Sequence, residues 1–478
     1  MDTVKRISRN IFFQSISEFT VKGLQVLALA YLARYLKEAE FGKFSFAVAF
    51  TTIALIFIDL GLNPLFVREI SRKRELAGKY ISHAVVIKSI LSFASFIAVM
   101  IIVNLMGYPD DIRKIVYVMF TSVILKSFTD NFSSIFQAFE EMQWDSLLKI
   151  IRAVILTGLV FFSLAKGYSL LTIVWMYAAT EIIVLSLCIL ILFTKFIKSM
   201  VKVQKDILIN LAFESLPFAL TVLFYSIYFY IDSVMLSYMR GVYEVGIYSA
   251  AYSLTLALIF IPTIYINSIF PSLSKFYVNS MESLKFAYKK SLLYISVVAL
   301  PMTIILFFLS EEIIYFLYGG EFSNSALVFK IIAITIFFRF VTFVNAITIL
   351  SVDKQKQRLY SQAITAILNI ILNLILIPAY GYIGAAVATV ITEFFLFAAY
   401  FHIVIKDFGA IKDILILGKP VVAAVISSVF FLTNLNLFLK ITAMILAYSV
   451  LLIMLRIFKK EDWHIFRRIL NSFYSKNT

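Results

Sequence analysis

The sequence predicts an all-α polytopic membrane protein with about fourteen transmembrane helices, arranged as two parallel-repeat six-helix lobes and two further C-terminal helices. Three observations predict this class: the composition, the spacing of the apolar segments and an internal repeat. The chain has 478 residues, of which 62% are apolar and only 15% are charged. A soluble domain has about a quarter of its residues charged, so most of this chain is expected to lie in a bilayer.

Apolar segments of about 20 residues, the length that crosses a bilayer core, recur along the chain with short charged joints between them. The predicted helices span residues 10–33, 44–60, 81–106, 112–137, 147–165, 171–193, 210–236, 245–270, 286–309, 326–350, 361–378, 383–404, 414–432 and 436–456. Most Lys and Arg residues outside these helices fall in the joints on one side. The positive-inside rule therefore predicts a multi-pass protein of the plasma or inner membrane with both termini in the cytoplasm.

An internal repeat divides the chain. Residues 40–70 match residues 244–274 at a constant offset of 204, which sets Gly42 opposite Gly246. Each copy holds six helices, an even number, so both copies have the same orientation in the membrane, and a site is expected between them near the midplane. The predicted domains are an N-terminal lobe at 1–205, a C-terminal lobe at 206–408, and helices 13 and 14 with a basic cytoplasmic tail at 409–478.

A second match extends the repeat. Residues 167–181 resemble residues 381–393 at an offset of 212, which sets Glu181 opposite Glu393. Because both copies carry the glutamate at the same place, we interpret the two residues as having a shared packing role. Asp59, at the end of helix 2 where interfacial water can solvate it, is also interpreted as structural.

Ionisable residues inside the predicted helices are candidate site residues. A charge at the centre of the bilayer costs about 2.5–3.5 kcal/mol, so such residues face a partner or a water-filled cavity. Glu18 and Lys22 lie four residues apart in helix 1, and Gln14 and Gln25 extend the same polar stripe. The alternative interpretation is that Glu18 and Lys22 neutralise each other and hold two helices together.

Further cations inside the predicted helices are also candidate site residues. Lys126 and Asp130 form a second pair four residues apart in helix 4, and Arg339 falls opposite Lys126 in the repeat. Lys88 in helix 3 and Arg152 in helix 5 complete the set. Lys and Arg bind phosphate through charge-assisted hydrogen bonds, so these residues predict a cavity for an anionic head group. A structural role for the pair of Lys126 and Asp130 is the alternative.

Helix 7 contributes the last candidates. Tyr225, Tyr228 and Asp232 share one face because they are separated by three and four residues. The tyrosines are candidates for contacts with sugars. The alternative is that they belong to the aromatic belt or to helix packing, as tyrosines in membrane helices commonly do.

Several other activities are disfavoured. The lone cysteine, Cys188, forms no internal disulfide, and His83, His402 and His464 are too scattered for a metal site. The chain has no phosphate-binding G-x-x-x-x-G-K-[ST] loop. Its formal charge of +15 is explained by the basic joints and tails, so no nucleic-acid partner is expected. We expect no cofactor and no catalytic residues, and leave open a coupling ion, H⁺ or Na⁺.

An ordered series of segments resembles the polysaccharide transporter family. The resemblance is carried by RYLKEAEFGKFSFA (34–47), DLGLNPLFVREISR (59–72), YFYIDSVML (228–236), LYGGEFSNSALVFKI (317–331) and NLILIPAYGYIGAAVATVITE (373–393). This family includes the O-antigen and lipid-linked oligosaccharide flippases. Its superfamily also contains the multidrug and toxin extrusion exporters and the lipid II flippases.

The resemblance implies a transporter, not an enzyme. The implied substrate is a polyprenyl-pyrophosphate-linked oligosaccharide, moved from the cytoplasmic to the outer leaflet by alternating access, with Lys22 as the best match for a pyrophosphate contact. Glycan polymerases or glycosyltransferases are implied as partners, besides the lipid bilayer. Two alternatives are a Na⁺- or H⁺-coupled multidrug exporter of the same fold and a membrane-embedded glycan-assembly enzyme, although no joint carries a cluster of acid and base residues.

Overall fold

The fold is known from a computed structural model, which describes residues 3–197, 201–408, 415–458 and 461–462. In this part of the chain the regular elements are all helices and no strand occurs. The predicted all-α class is confirmed. Lys198, His464 and most of the basic C-terminal tail lie outside the described residues.

The helices fall into two successive sets. Those of the first set are α1 (Thr3–Ala54), α2 (Ile56–Asp59), α3 (Leu62–Arg72), α4 (Ala77–Leu105), α5 (Asp110–Ala138), α6 (Met142–Ala165) and α7 (Leu170–Lys195). Those of the second set are α8 (Lys205–Arg240), α9 (Val242–Ala257), α10 (Phe260–Asn279), α11 (Met281–Phe308), α12 (Ser310–Tyr318), α13 (Ser323–Ala333), α14 (Thr335–Ser351), α15 (Gln355–Phe408), α16 (Leu415–Ser427) and α17 (Leu437–Met454).

Two of these helices are double. The chain turns at Lys37 (φ 60°) within α1 and at Gly381 (φ 56°) within α15, so each consists of two helical arms. The left-handed conformation is accessible to glycine without strain. A second break, at Leu60 and Gly61, separates α2 from α3 with positive φ at both residues. The arms match the predicted boundaries between helices 1 and 2 and between helices 11 and 12.

The helix boundaries repeat along the chain. The first residues of α4 and α11 are 204 positions apart, those of α5 and α13 are 213 apart, and those of α6 and α15 are also 213 apart. The offset grows by nine where the second copy contains the additional nine-residue helix α12. The repeat predicted from the sequence is therefore present in the helices themselves.

The apolar helices are numerous enough for a multi-pass protein. Among the described residues, nine helices are long and apolar enough to span a membrane, or up to ten if Gly320–Ala333 and Thr335–Ser351 together form one bent span. Two of the nine, Ile16–Asp59 and Gln355–Lys406, are double-length and contain the kinks at Lys37 and Gly381. The number fourteen and the orientation of the termini stay predictions.

The chain divides into two compact units by its residue contacts. The first comprises Met1–Phe260, Ile314–Val328 and Gln362–Thr392, and the second comprises Ile261–Ile313, Phe329–Ser361 and Glu393–Thr478. In the first unit, α3, α4, α5 and α7 share a core around Phe66, Phe136 and Cys188. In the second unit, Leu293 of α11 packs with Ala424 of α16 and Tyr448 of α17. The lobe boundaries at 205 and 408 stay predictions.

The first unit contains a close backbone contact between α1 and α9. A Cβ atom added at Gly42 would overlap the carbonyl oxygen of Val242, and one added at Gly246 would overlap the carbonyl oxygen of Glu38. Both Gly42 with Gly246 and Glu38 with Val242 are related by the offset of 204. The contact therefore maps onto itself under the repeat, as across a local two-fold axis. Glycine is required here because only it lets the two backbones approach this closely.

Polar contacts flank this glycine pair. The Arg34 guanidinium donates to the carbonyl oxygen of Leu317 at 2.8 Å. On the other side, the Tyr108 hydroxyl donates to Ser237 Oγ at 2.9 Å. By the offset of 204, Ser237 corresponds to Ala33, the neighbour of Arg34, so each copy contributes one flanking contact from about the same place in its sequence. We call this end of the first unit the closed end, defined by Arg34, Gly42, Tyr108, Ser237 and Gly246.

Candidate functional site

The polar stripe of helix 1 lies against α6 in the first unit. Gln14 Nε2 approaches Met142 Sδ at 3.2 Å, and Glu18 Oε1 lies 3.8 Å from Lys149 Nζ. The alternative interpretation of the stripe was that Glu18 pairs with Lys22. The structure instead pairs Glu18 with Lys149, because α6 packs on the stripe and supplies an ammonium group from another helix. Lys149 was missed because its pairing depends on the helix register, which a local pattern does not show.

Lys22 lies one turn beyond Glu18 on the same stripe. Its side chain is partly exposed, and no carboxylate in the described part of the chain forms an ion pair with it. Gln25, the next residue of the stripe, is exposed. Lys22 is therefore a cation in an apolar helix whose charge an external anion can neutralise.

Behind the stripe, α5, α6 and α7 carry a network of ion pairs. Lys126 Nζ is bonded to Asp130 Oδ2, which confirms the predicted pair. Arg152 lies between two carboxylates: its Nη1 is 3.6 Å from Asp130 Oδ1, and its Nε is 3.0 Å from Glu181 Oε1. Both cations thus already have anionic partners from the chain.

The second unit contains a matching pair. Arg339 Nε donates to Glu393 Oε1, and both side chains are only 2% exposed. Glu393 is the repeat equivalent of Glu181, and each glutamate holds an arginine of another helix. The two glutamates therefore share a structural role. This role is to form an ion pair with an arginine, and not only to pack as the sequence analysis expected.

Lys88 is enclosed by protein. Its side chain is fully buried, and Nζ donates to Asp59 Oδ1, to the carbonyl oxygen of Ser127 at 2.8 Å and to Ser127 Oγ. An ammonium group has three N–H donors, so these acceptors satisfy it. The sequence analysis treated Lys88 and Asp59 separately, whereas the structure joins them where helix 2 breaks at Leu60.

Asp232 is the centre of a buried polar cluster in the first unit. Its Oδ2 accepts from the Tyr248 hydroxyl at 2.8 Å and from Thr389 Oγ1 at 2.9 Å, and its Oδ1 accepts from Asn373 Nδ2 at 2.6 Å. The amide of Asn373 also donates to Asn369 Oδ1 at 3.1 Å. Within the described ranges, no cationic side chain forms an ion pair with Asp232.

The sequence analysis grouped Asp232 with the tyrosines of its own helix. Tyr225 is 43% exposed, whereas Tyr228 is 5% exposed, so the predicted face is only partly accessible. The partners of Asp232 come instead from α9 and α15. Two of them, Asn373 and Thr389, lie in a segment that carried the family resemblance, but the sequence gives no sign that it folds back onto Asp232.

Comparison with known proteins decides the family. The family model described as "Polysaccharide biosynthesis protein" matches residues 7–277, which is more than half of the chain. The chain belongs to the polysaccharide biosynthesis protein family. The match confirms the resemblance derived from the sequence. A second family model, MatE, matches residues 217–375. Part of the chain is therefore also similar to the MatE family, which belongs to the same superfamily.

Relatives of this family member include transporters of two kinds. The probable low-salt glycan biosynthesis flippase Agl15 of Haloferax volcanii is 23% identical over 372 residues, or 77% of each chain. The lipid II flippase MurJ in an inward closed conformation superposes with a TM-score of 0.78 at 19% identity, covering 93% of this chain and 99% of that one. An inward-facing multidrug transporter of the MATE family gives 0.69 at 14% identity, covering 83% and 99%. The chain therefore has a transporter fold.

Proposed function

We propose that this chain is a flippase that moves a polyprenyl-pyrophosphate-linked oligosaccharide from the cytoplasmic to the outer leaflet for cell-surface glycan assembly. Pyrophosphate and sugars do not cross hydrocarbon unaided, because their polar groups would be buried without partners. The family membership and the flippase relative support this substrate class. The observation that carries the proposal is Lys22, a cation in a helix long and apolar enough to span a membrane, with which no carboxylate of the described chain forms an ion pair.

In this proposal the head group lies beside α1 and α6 while the prenyl tail stays in lipid. Lys22 contacts a phosphate through a charge-assisted hydrogen bond. On the topology predicted by the positive-inside rule, the closed end faces the outer side of the membrane, so release outward would require that end to open. This cycle is alternating access.

Replacing Lys22 with alanine is expected to reduce transport by about tenfold or more, since a hydrogen bond to a charged group contributes roughly 1.5–3 kcal/mol. Lys22→Arg keeps the charge and should retain most of the activity. Transport is measured by complementation of a flippase-deficient strain, with the protein level followed in the same cells. Unchanged transport by Lys22→Ala would contradict the proposal, and Arg72→Ala, at an exposed joint, is the control.

A multidrug exporter is the second candidate, favoured by the MatE match to residues 217–375 and by the fold shared with MATE transporters. A cavity for cationic drugs needs carboxylates without cationic partners. In the stripe and the network behind it, Glu18, Asp130 and Glu181 each lie near a Lys or Arg. This pairing favours the flippase, whereas Asp232, which has no cationic partner among the described residues, meets the requirement of an exporter. Drug-susceptibility tests of the same strains separate the two functions.

A coupling cation, H⁺ or Na⁺, is proposed to bind at Asp232. The residues fit such an ion, because Asp232 has no cationic partner among the described residues and Asn373 Oδ1, buried nearby, accepts no hydrogen bond. Hard cations prefer oxygen ligands of this kind. Asp232 and Asn373 would hold the ion, and its binding on one side and release on the other would couple the cycle to the ion's gradient.

Asp232→Asn is expected to remove the dependence of transport on a cation gradient while keeping the fold. Tyr248 and Thr389 can still donate to the amide oxygen, and the Asn373 amide can turn to offer its free oxygen. Transport into liposomes under imposed H⁺ or Na⁺ gradients measures the effect. Asp206→Asn, an exposed change in the same helix, is the matched control; equal gradient dependence in the two variants would rule out Asp232.

The remaining parts of the proposal concern the location of the protein and its partners. We propose a plasma or inner membrane protein with both termini in the cytoplasm, because basic joints are retained on that side. Glycosyltransferases that build the substrate and a polymerase that consumes the product are its proposed partners.

A further inference from the structure

We infer that Lys149 is a second phosphate contact and that Glu18 is an internal carboxylate that occupies it until a phosphate displaces it. This inference rests on the proposed function and assigns a second protein contact, with an exchangeable internal anion, to the pyrophosphate head group. Lys149 was not a candidate from the sequence. It is assigned from its position on α6, where it faces the polar stripe of α1.

The register of α1 on α6 sets the two lysines close together. Gln14 meets Met142, Glu18 meets Lys149, and farther along the Tyr31 ring contacts the Phe161 ring with centroids 4.9 Å apart. Both helices therefore run in the same direction along one seam. Lys22 is four residues past Glu18, a rise of about 6 Å, which places it about one turn farther along the seam than the contact between Glu18 and Lys149.

Lys149 has one firm partner and one weak one. Asp145 Oδ2 lies 3.0 Å from Nζ, with the Asp145 side chain only 4% exposed, so this carboxylate fixes the ammonium from its own helix. Glu18 Oε1 lies at 3.8 Å, beyond hydrogen-bond distance, and its side chain is 42% exposed. An exposed ion pair of this geometry contributes little. Glu18 is therefore the partner that an incoming anion can replace.

Two ammonium groups, those of Lys22 and Lys149, are available to an anion that displaces Glu18. Lys22 has no carboxylate partner in the described chain, and Lys149 keeps Asp145 when its loosely held second partner, Glu18, is displaced. A monophosphate can satisfy one of them fully, whereas two linked phosphates can contact both. Because ammonium groups bind phosphate as point charges, the second phosphate of a diphosphate should form an additional contact. The diphosphate should therefore bind more tightly than the monophosphate.

The other cations of the region do not offer such a site. Lys126 is bonded to Asp130, and Arg152 lies between Asp130 and Glu181. Removing these pairs to bind a substrate would leave the buried carboxylate of Glu181 and the partly exposed carboxylate of Asp130 without partners, and leaving a buried charge unpaired is costly. The network therefore serves as a scaffold for α5, α6 and α7, and the exchangeable charges are those of Glu18, Lys22 and Lys149.

The test compares the binding of three ligands to the purified full chain in phosphatidylcholine nanodiscs: farnesyl diphosphate, farnesyl monophosphate and inorganic pyrophosphate. Wild type should bind the diphosphate about tenfold or more tightly than the monophosphate, because an additional charge-assisted contact is formed. Lys149→Gln should reduce this preference to about threefold or less. Glu18→Gln should tighten diphosphate binding by up to about fivefold, the contribution of a weak ion pair.

Controls keep the result interpretable. Lys166→Gln, an exposed change at the end of α6, should bind as wild type does. Because Lys149→Gln leaves Asp145 buried without a cation, the double variant Asp145→Asn with Lys149→Gln is tested as well, and the melting temperature of each variant is measured. Loss of the diphosphate preference in the folded double variant supports the inference.

The outcomes separate the two proposals. Failure of wild type to bind either farnesyl ligand would overturn the proposed function. Equal binding of the diphosphate and the monophosphate by wild type, or an unchanged preference in both Lys149 variants, would overturn the inference and leave the flippase proposal standing. Inorganic pyrophosphate binding as tightly as the lipid would support the two-phosphate contact and assign the affinity to the head group alone.

Discussion

Gly246→Ala should open the closed end and stop transport. The added methyl group would overlap the carbonyl oxygen of Glu38, which belongs to the backbone and cannot rotate away. Overpacking of this kind costs about 1–3 kcal/mol, which is enough to shift an equilibrium between closed and open ends by about 5-fold to 150-fold. Gly42→Ala should act in the same way, because it meets the carbonyl oxygen of Val242.

Spin labels at Leu105→Cys and Tyr238→Cys can report the opening, since these side chains are 82% and 63% exposed and line one small surface cavity of the first unit. The native Cys188 is buried and should not react. The label distance should lengthen and broaden in both glycine variants. Gly158→Ala is the matched control, because nothing lies within 4 Å of its added Cβ. Identical distance distributions in all three variants would show that the glycine contact does not hold this end closed.

Arg339→Ala should be the most destabilising of the charge removals. It leaves Glu393, with a side chain 2% exposed, as a buried carboxylate without this arginine. Breaking a buried pair from one side costs about 3–5 kcal/mol. The loss should appear in denaturant titration of the purified protein and as a large drop in melting temperature.

The double variant Arg339→Met with Glu393→Leu separates charge burial from packing. Replacing both members of a buried pair with apolar residues is often close to neutral, so its stability should lie near that of wild type. Arg72→Ala, whose partner Glu69 lies at a distance of 3.4 Å and whose own side chain is 68% exposed, should change stability by no more than about 1 kcal/mol. If Arg339→Ala were as stable as Arg72→Ala, the pair would have no structural role.

The sequence was sufficient for the fold because its signals are local or periodic. Apolar segments of membrane length predicted the helices, and the offset of 204 between Gly42 and Gly246 predicted the repeat that the helix boundaries show. Lys126 and Asp130 were paired correctly because both lie on one helix, four residues apart.

Pairings between helices could not be predicted in the same way. Glu18 forms a loose ion pair with Lys149 and not with Lys22, Lys88 bonds to Asp59, and Asp232 takes its partners from α9 and α15. Each of these contacts depends on the register and rotation of two helices, which result from packing over their whole length. A residue's own helix shows which face is polar, but it does not show which side chain of a neighbour meets that face.

The glycine contact also bears on the origin of the chain. Its two halves exchange equivalent surfaces, since each glycine meets the residue that corresponds to the other's partner. This is the form of an isologous interface, in which one patch on a protein binds the same patch on a second copy. A six-helix ancestor that formed a homodimer would need only one glycine per chain to build this interface. Duplication and fusion of its gene would then join the two subunits in one polypeptide. After fusion, Gly42 and Gly246 can mutate independently. Each position still restricts the side chain that the other can carry, because both lie in the same backbone contact.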